Sequence, residues 1–284
     1  MTATSTASTT ATATTVNSGV AEGAAGSYGS LTAGSYTVNV STADGSLTAA
    51  TQTLTLTGDI EYTLVAYQRG GVISLLLLTD SITTPASGFA SITVANYSSD
   101  AGAVDIYATT PGADISNLSP TITNLSSFST SITQSITAGT YDIVITATNK
   151  PTDVRLTMHS VVLASTEIAV LALTSTTSGS LVDGTIIQQG GAIQLQRVTE
   201  ARVRVVAAFP ANGATNSIIS GAVGGTALAA LTSPSIGVYT LAPAGSTTYG
   251  IAVDGVDVTG LPAATFASGG DYTIMLYDSP SSPK

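Results

Sequence analysis

The chain has 284 residues, of which only 8% are charged, with 7 Lys+Arg against 17 Asp+Glu and a formal net charge of −10. This balance argues against nucleic acid or anionic lipid as partner, since both require clustered Lys and Arg, and the two lysines, Lys150 and Lys284, form no patch. The absence of cysteine excludes disulfides and thiolate metal sites, while the length allows three cores of roughly 80–110 residues each.

The chain opens on Thr2 to Thr15, an almost pure Thr/Ala/Ser segment, and its start lacks the basic and apolar regions of a signal peptide. If the protein is exported, this is a mature or trimmed form. Period-2 alternation then predicts a strand at Tyr36-Thr37-Val38-Asn39-Val40, with Tyr36, Val38 and Val40 inward, and another at Leu54-Thr55-Leu56-Thr57. The longest apolar run, Val72 to Leu78, is far short of the ~18 residues needed to span a bilayer and reads as a buried strand. Further strands are expected at Ser91-Ile92-Thr93-Val94-Ala95, Tyr141 to Ile145, Arg202 to Val205 and Tyr272 to Tyr277. Hairpin turns are expected at Asp44-Gly45, Asn149-Lys150-Pro151, Asp183-Gly184, Asn212-Gly213 and Asp254-Gly255, where positive φ or a fixed proline φ is available.

These elements repeat. Ala33-Gly34-Ser35-Tyr36 recurs as Ala138-Gly139-Thr140-Tyr141 and as Ala244-Gly245-Ser246 with Tyr249, the tyrosines lying 141 − 36 = 105 and 249 − 141 = 108 residues apart. A second phrase keeps step: Ile60 to Val65, Thr166 to Leu171 and Gly270 to Met275. A period near one hundred residues is the size of a small domain rather than a solenoid repeat. Strands every 8–12 residues with such turns predict all-β, tandem antiparallel β-sandwich units at 1–86, 87–198 and 199–284. The strand–turn–strand Ala90 to Tyr107 has a counterpart at Ala201 to Asn216, an offset of 201 − 90 = 111. The first unit has none, because stepping back 105 from position 90 precedes the chain, so it is expected to lack its first hairpin, unless the polypeptide begins further upstream or Thr2 to Val16 serves as a makeshift first strand.

The segment Val94-Ala95-Asn96-Tyr97-Ser98-Ser99-Asp100-Ala101-Gly102-Ala103-Val104-Asp105-Ile106-Tyr107 resembles the opening "V-x-N-A-S-P-D-A-x-x-V-D-V-Y" of the bacterial domain-of-unknown-function 4397 family. The Ala-Gly-x-Tyr turn and the Tyr-Thr-Ile/Leu strand resemble its later parts. In the third unit Asn216 replaces the aspartate. The resemblance implies immunoglobulin-like sandwiches, usually in exported or surface proteins, and it supplies no catalytic residues.

No constellation of residues points to a reaction. His159 is the only histidine, and one histidine makes neither a two-histidine metal site nor, alone, a Ser-His-Asp relay. Asp100, Asp105, Asp114, Asp254 and Asp257 match no calcium-loop spacing and read as turn formers. Gly221 to Gly225 lacks the lysine of a phosphate loop. Asn39, Asn96 and Asn124 sit in glycosylation triplets, and the tyrosines read as core or rim packing.

The expected function is therefore non-enzymatic and needs no cofactor: a secreted structural subunit of a bacterial surface fibre, sheath or matrix. The partner is a second copy, joined by β-strand addition through Thr10, Ala11, Thr12, Ala13, Thr14, Thr15 and Val16, a segment of β-tendency, little bulk and no charge. The Thr/Ser-rich, cysteine-free composition with few tryptic sites points to an extracellular or cell-surface setting. Neither nucleic acid nor membrane insertion is expected. An adhesin or carbohydrate-binding module engaging surface glycans is the alternative.

Overall fold

The computed structural model describes residues 1–6, 13–21, 24–47, 49–69, 72–80, 83–176, 178–189, 192–208, 216–245 and 248–277. Of the predicted features, Asn212-Gly213, Ser246, Lys284 and Thr10 to Thr12 lie outside these residues. The protein is all-β, built from several mainly antiparallel sheets.

In the first unit, β1 (Thr2–Ser5), β2 (Thr14–Thr15), β3 (Gly34–Val40) and β4 (Ala50–Leu56) form one sheet in the order β2-β1-β3-β4. A separate hairpin, β5 (Tyr62–Arg69) and β6 (Val72–Thr79), faces it. Alternation in β3 buries Tyr36 and Val38, which pack with Ala3 and Leu54 against Leu64 and Leu77 of the hairpin. The opposite hairpin face carries Leu76, Leu78, Val65 and Tyr67, and these pack on Ala95, Val170, Tyr97 and Ile187 of the second unit. The hairpin thus lies between two sheets. That explains why Val72 to Leu78 is a continuous apolar run instead of an alternating one: both pleat faces meet protein.

The second unit is a sandwich. Its first sheet holds β7 (Phe89–Tyr97), then, later in the chain, β10 (Ser129–Thr130), β11 (Gln134–Thr137), β14 (Ile168–Ser175), β15 (Val182–Gln188) and β16 (Ile193–Gln196). Its second holds β8 (Val104–Thr109), β9 (Ile122–Leu125), β12 (Gly139–Ala147) and β13 (Lys150–Leu163). Ile92, Val94 and Leu171 on the first sheet and Ile106, Ile143, Ile145 and Met158 on the second fill the space between. Asp183-Gly184 is not the expected turn; it lies inside β15. A Cβ on Gly184 would stand 2.6 Å from Leu156 Cδ2 and 2.9 Å from Met158 Sδ, so the glycine serves close sheet-to-sheet packing.

In the third unit, β17 (Glu200–Ala208) heads a sheet that β21 (Ser235–Ile236), β22 (Thr240–Pro243) and β25 (Asp271–Tyr277) complete. The facing sheet comprises β18 (Ile218–Val223), β19 (Thr226–Ala227), β20 (Leu231–Thr232), β23 (Tyr249–Val253) and β24 (Val256–Asp257). Val203, Val205 and Leu276 pack against Ile219, Val223 and Ile251, with Phe266 2% exposed among them. The β23–β24 turn falls on Asp254-Gly255 as expected, with φ of +50° and +78°.

Both later units contain one feature that alternation cannot predict, a parallel pair. β7 runs parallel to β14, with Ser91 opposite Ile168, and β17 runs parallel to β25, with Arg202 opposite Asp271.

Candidate functional site

The parallel pairs define equivalent strands. The Ser91 N–H donates to Glu167 O and the Arg202 N–H donates to Gly270 O, which superposes Ala169 on Tyr272. Tyr62 takes the same place in the first unit, because its hydroxyl accepts from the Thr57 N–H five residues earlier, as the Tyr272 hydroxyl does from Ala267. Strands β5, β14 and β25 are therefore one strand repeated three times. Among the described residues only β14 of the three has both edges filled, by β7 and β15. Among the described residues β5 pairs with β6 alone and β25 with β17 alone.

The direction of the open groups follows from the ladder. The Asp80 N–H donates to Glu61 O, so alternate residues Thr63, Val65 and Tyr67 bond to β6, leaving the backbone of Tyr62, Leu64, Ala66 and Gln68 aimed outward. That edge is the one on which β7 and β17 sit in the other units. On β25, Gly270, Tyr272, Ile274 and Leu276 face β17, so Thr273, Met275 and Tyr277 face outward. Met275 and Tyr277 are 57% and 51% exposed.

The N-terminal segment has a partner inside the chain. Thr14 and Thr15 form β2, two rungs on Ala3 and Thr2, and Val16 donates its N–H to Met1 O. Ala13, Thr14 and Thr15 are exposed, and Val16 packs partly on the first core.

Polar residues singled out in the sequence shape turns. Asn96, fully buried, donates to Gly102 O and Leu125 O and accepts the Ser98 N–H, which leaves it inaccessible to a glycan as folded. Asp105, 3% exposed, accepts the N–H groups of Asn124 and Asn149, both at positive φ. Asp114 accepts from Ser116, Asp100 from Ser99, and Asp254 from the Ile218 N–H, whereas Asp257 is exposed on β24. Among the described residues no three acidic, histidine or cysteine groups gather as a metal site. The repeated turn also gains a reason: Tyr36 and Tyr141 each donate a hydroxyl hydrogen bond to the carbonyl four residues back, Thr32 and Thr137, tying strand start to loop. Tyr249 reaches Pro262 O instead.

His159 meets one carboxylate. A bulge at His159–Ser160 sets both residues against Asp142, with His159 Nδ1 3.0 Å from its Oδ2. The Gly112 and Ser160 N–H groups, followed by His159, hold the Asp142 pKa below the usual carboxylate value. The His159 side chain is 73% exposed.

Between the second and third units lies a cleft of about 350 Å³ lined by Thr152, Asp153, Val154, Arg202, Tyr239, Thr240 and Leu241. Asp153 bridges Arg155 and Arg202, both at 3.2 Å, and Asp271 stands 3.6 Å from Arg202. The Tyr239 ring lies 4.2 Å from the Arg202 guanidinium carbon. Sequence reading missed this cluster, because its members come from strands far apart in the chain. The one available signal was the pair Arg202 and Arg204 in an otherwise nearly uncharged strand.

Residues 2–107 match the model of the family described as a domain of unknown function (DUF4397). Over that stretch the chain is similar to the DUF4397 family. The DUF4397 stretch runs from β1 through the β5–β6 hairpin and ends inside β8, so the quoted Val94 to Tyr107 phrase closes the match instead of opening it. It contains β5 with its open edge, as well as Asn96, Ser98 and Asp105, whose hydrogen bonds account for the polar positions of the phrase. No curated protein matches the chain.

Proposed function

We propose that the protein is a secreted structural subunit of a bacterial surface fibre, sheath or extracellular matrix, its immunoglobulin-like units joined between copies by β-strand addition. One observation carries this reading: the outward backbone of Tyr62, Leu64, Ala66 and Gln68 occupies a place that a parallel strand fills in both other units. An unpaired edge is a template for another chain. Natural edges are commonly blunted by lysine or proline, and neither occurs in Tyr62–Arg69. The contact between the hairpin and the second unit, and the Asp153 bridge to the third, favour a stiff rod over a flexible string.

The test keeps the N-terminus, since removing residues 2–16 would take Ala3 out of the core. Ala66→Pro deletes only an outward N–H and leaves the β5–β6 ladder intact. Negative-stain imaging and sedimentation should show filaments or oligomers for the parent protein and monomers for A66P, with unchanged circular dichroism. Normal assembly of folded A66P overturns the reading.

A further inference from the structure

Resting on that reading, we propose that the strand received at the open edge of β5 is β25 of a second copy, which makes assembly head-to-tail. The edge of β25 that β15 would cover in the second unit is bare at Thr273, Met275 and Tyr277 among the described residues. Its beginning is already taken: Thr176 Oγ1 donates to Gly269 O, and Ser180 Oγ donates to Asp271 Oδ2. Three outward positions remain on β25, against four on β5.

The two edges suit each other. Neither set of outward residues, Tyr62, Leu64, Ala66 and Gln68 or Thr273, Met275 and Tyr277, carries a charge, in a chain whose net charge of −10 otherwise keeps copies apart. Each set supplies alternating N–H and C=O groups; on β25 Met275 and Tyr277 are more than half exposed, and on β5 Ala66 is exposed. The N-terminal segment is the weaker donor, because Thr14 and Thr15 already bond to Ala3 and Thr2 within the chain.

Position in the chain decides the symmetry. One edge belongs to the first unit and the other to the third, so the contact joins different surfaces and has no two-fold axis. After each joining, the assembly still presents one free β5 edge at one end and one free β25 edge at the other, and growth continues in an open line.

Capping one edge at a time tests this. Met275→Pro removes an outward N–H of β25, as Ala66→Pro does on β5, and Met275→Lys and Ala66→Lys provide the same block without altering the backbone. Alone, M275P and A66P should each sediment as monomers. Mixed in equal amounts they should give a heterodimer and nothing larger, because one variant contributes a sound β5 edge and the other a sound β25 edge. If M275P and M275K assemble like the parent while the position-66 variants stay monomeric, β25 is not the donor; another segment such as residues 10–16 is, and strand addition at β5 still stands. If the folded position-66 variants assemble like the parent, both this inference and the strand-addition reading fall.

Discussion

Among the described residues the second unit encloses its central strand on both edges, whereas the first unit leaves one edge of the equivalent strand bare and the third leaves the other. The cores follow the same order. Among the described residues the second unit buries 21 apolar side chains in one cluster, and the first unit buries 4 in its own. The first unit compensates by using its neighbour: Leu76 and Leu78, 2% and 5% exposed, are buried against Ala95 and Val170 of the second unit. The third leans on the second by polar means, through Asp153, Arg202 and Ser180. A complete unit at the centre thus supports two open ones, and the openness falls at the two ends where copies would meet.

The largest effect that tests this dependence lies at the polar seam. Asp153→Ala leaves the guanidiniums of Arg155 and Arg202, 8% and 4% exposed as residues, without their shared carboxylate. Removing one partner of a buried ion pair costs about 3–5 kcal/mol. Urea unfolding should show the third unit melting separately from the second, and a single unchanged transition would refute the polar coupling.

At the apolar seam, Leu76→Ala should cost about 3 kcal/mol, the usual range for truncating a buried leucine. The loss should appear in the first unit's transition and leave the third unit's untouched. Limited proteolysis between residues 80 and 90 would then become faster. Equal cleavage of parent and variant would show that the first unit stands without the second.

The smallest effect is confined to the second unit and depends on pH. The Asp142 carboxyl sits below its ordinary value because the Gly112 and Ser160 N–H groups bind its charged form. A depressed carboxyl contributes stability that is present above its unfolded pKa and lost as pH falls through its folded pKa. The melting temperature of the second unit should drop on acidification, and Asp142→Asn should remove that part of the slope. Asp183 works in the opposite direction, since burial raises its pKa despite the Val198 N–H it accepts. Ionising it at neutral pH therefore costs stability, and Asp183→Asn should raise the melting temperature at pH 7 with a gain that vanishes in acid.

Local patterns were legible because their causes are local. Alternation placed Tyr36 to Val40 and Tyr272 to Tyr277 in strands, and positive-φ residues at Asp254-Gly255 and Asn149 placed hairpins. The turn expected at Asp183-Gly184 failed for a tertiary reason: the glycine answers to Leu156 and Met158 from another sheet. The candidate site was half legible. The repeat offset implied a missing first hairpin; β1 pairs with β3 as β8 pairs with β12, so among the described residues only the strand equivalent to β7 is absent, and which backbone groups that leaves open required the β5–β6 register.

By itself the sequence determined an all-β chain, because period-2 alternation and turn residues are properties of neighbouring residues. Tertiary structure alone decided the parallel pairs, the sharing of a hairpin between two units and the Asp153 bridge. Those depend on which distant strands meet, and hydrophobic alternation specifies a buried face without naming what will cover it.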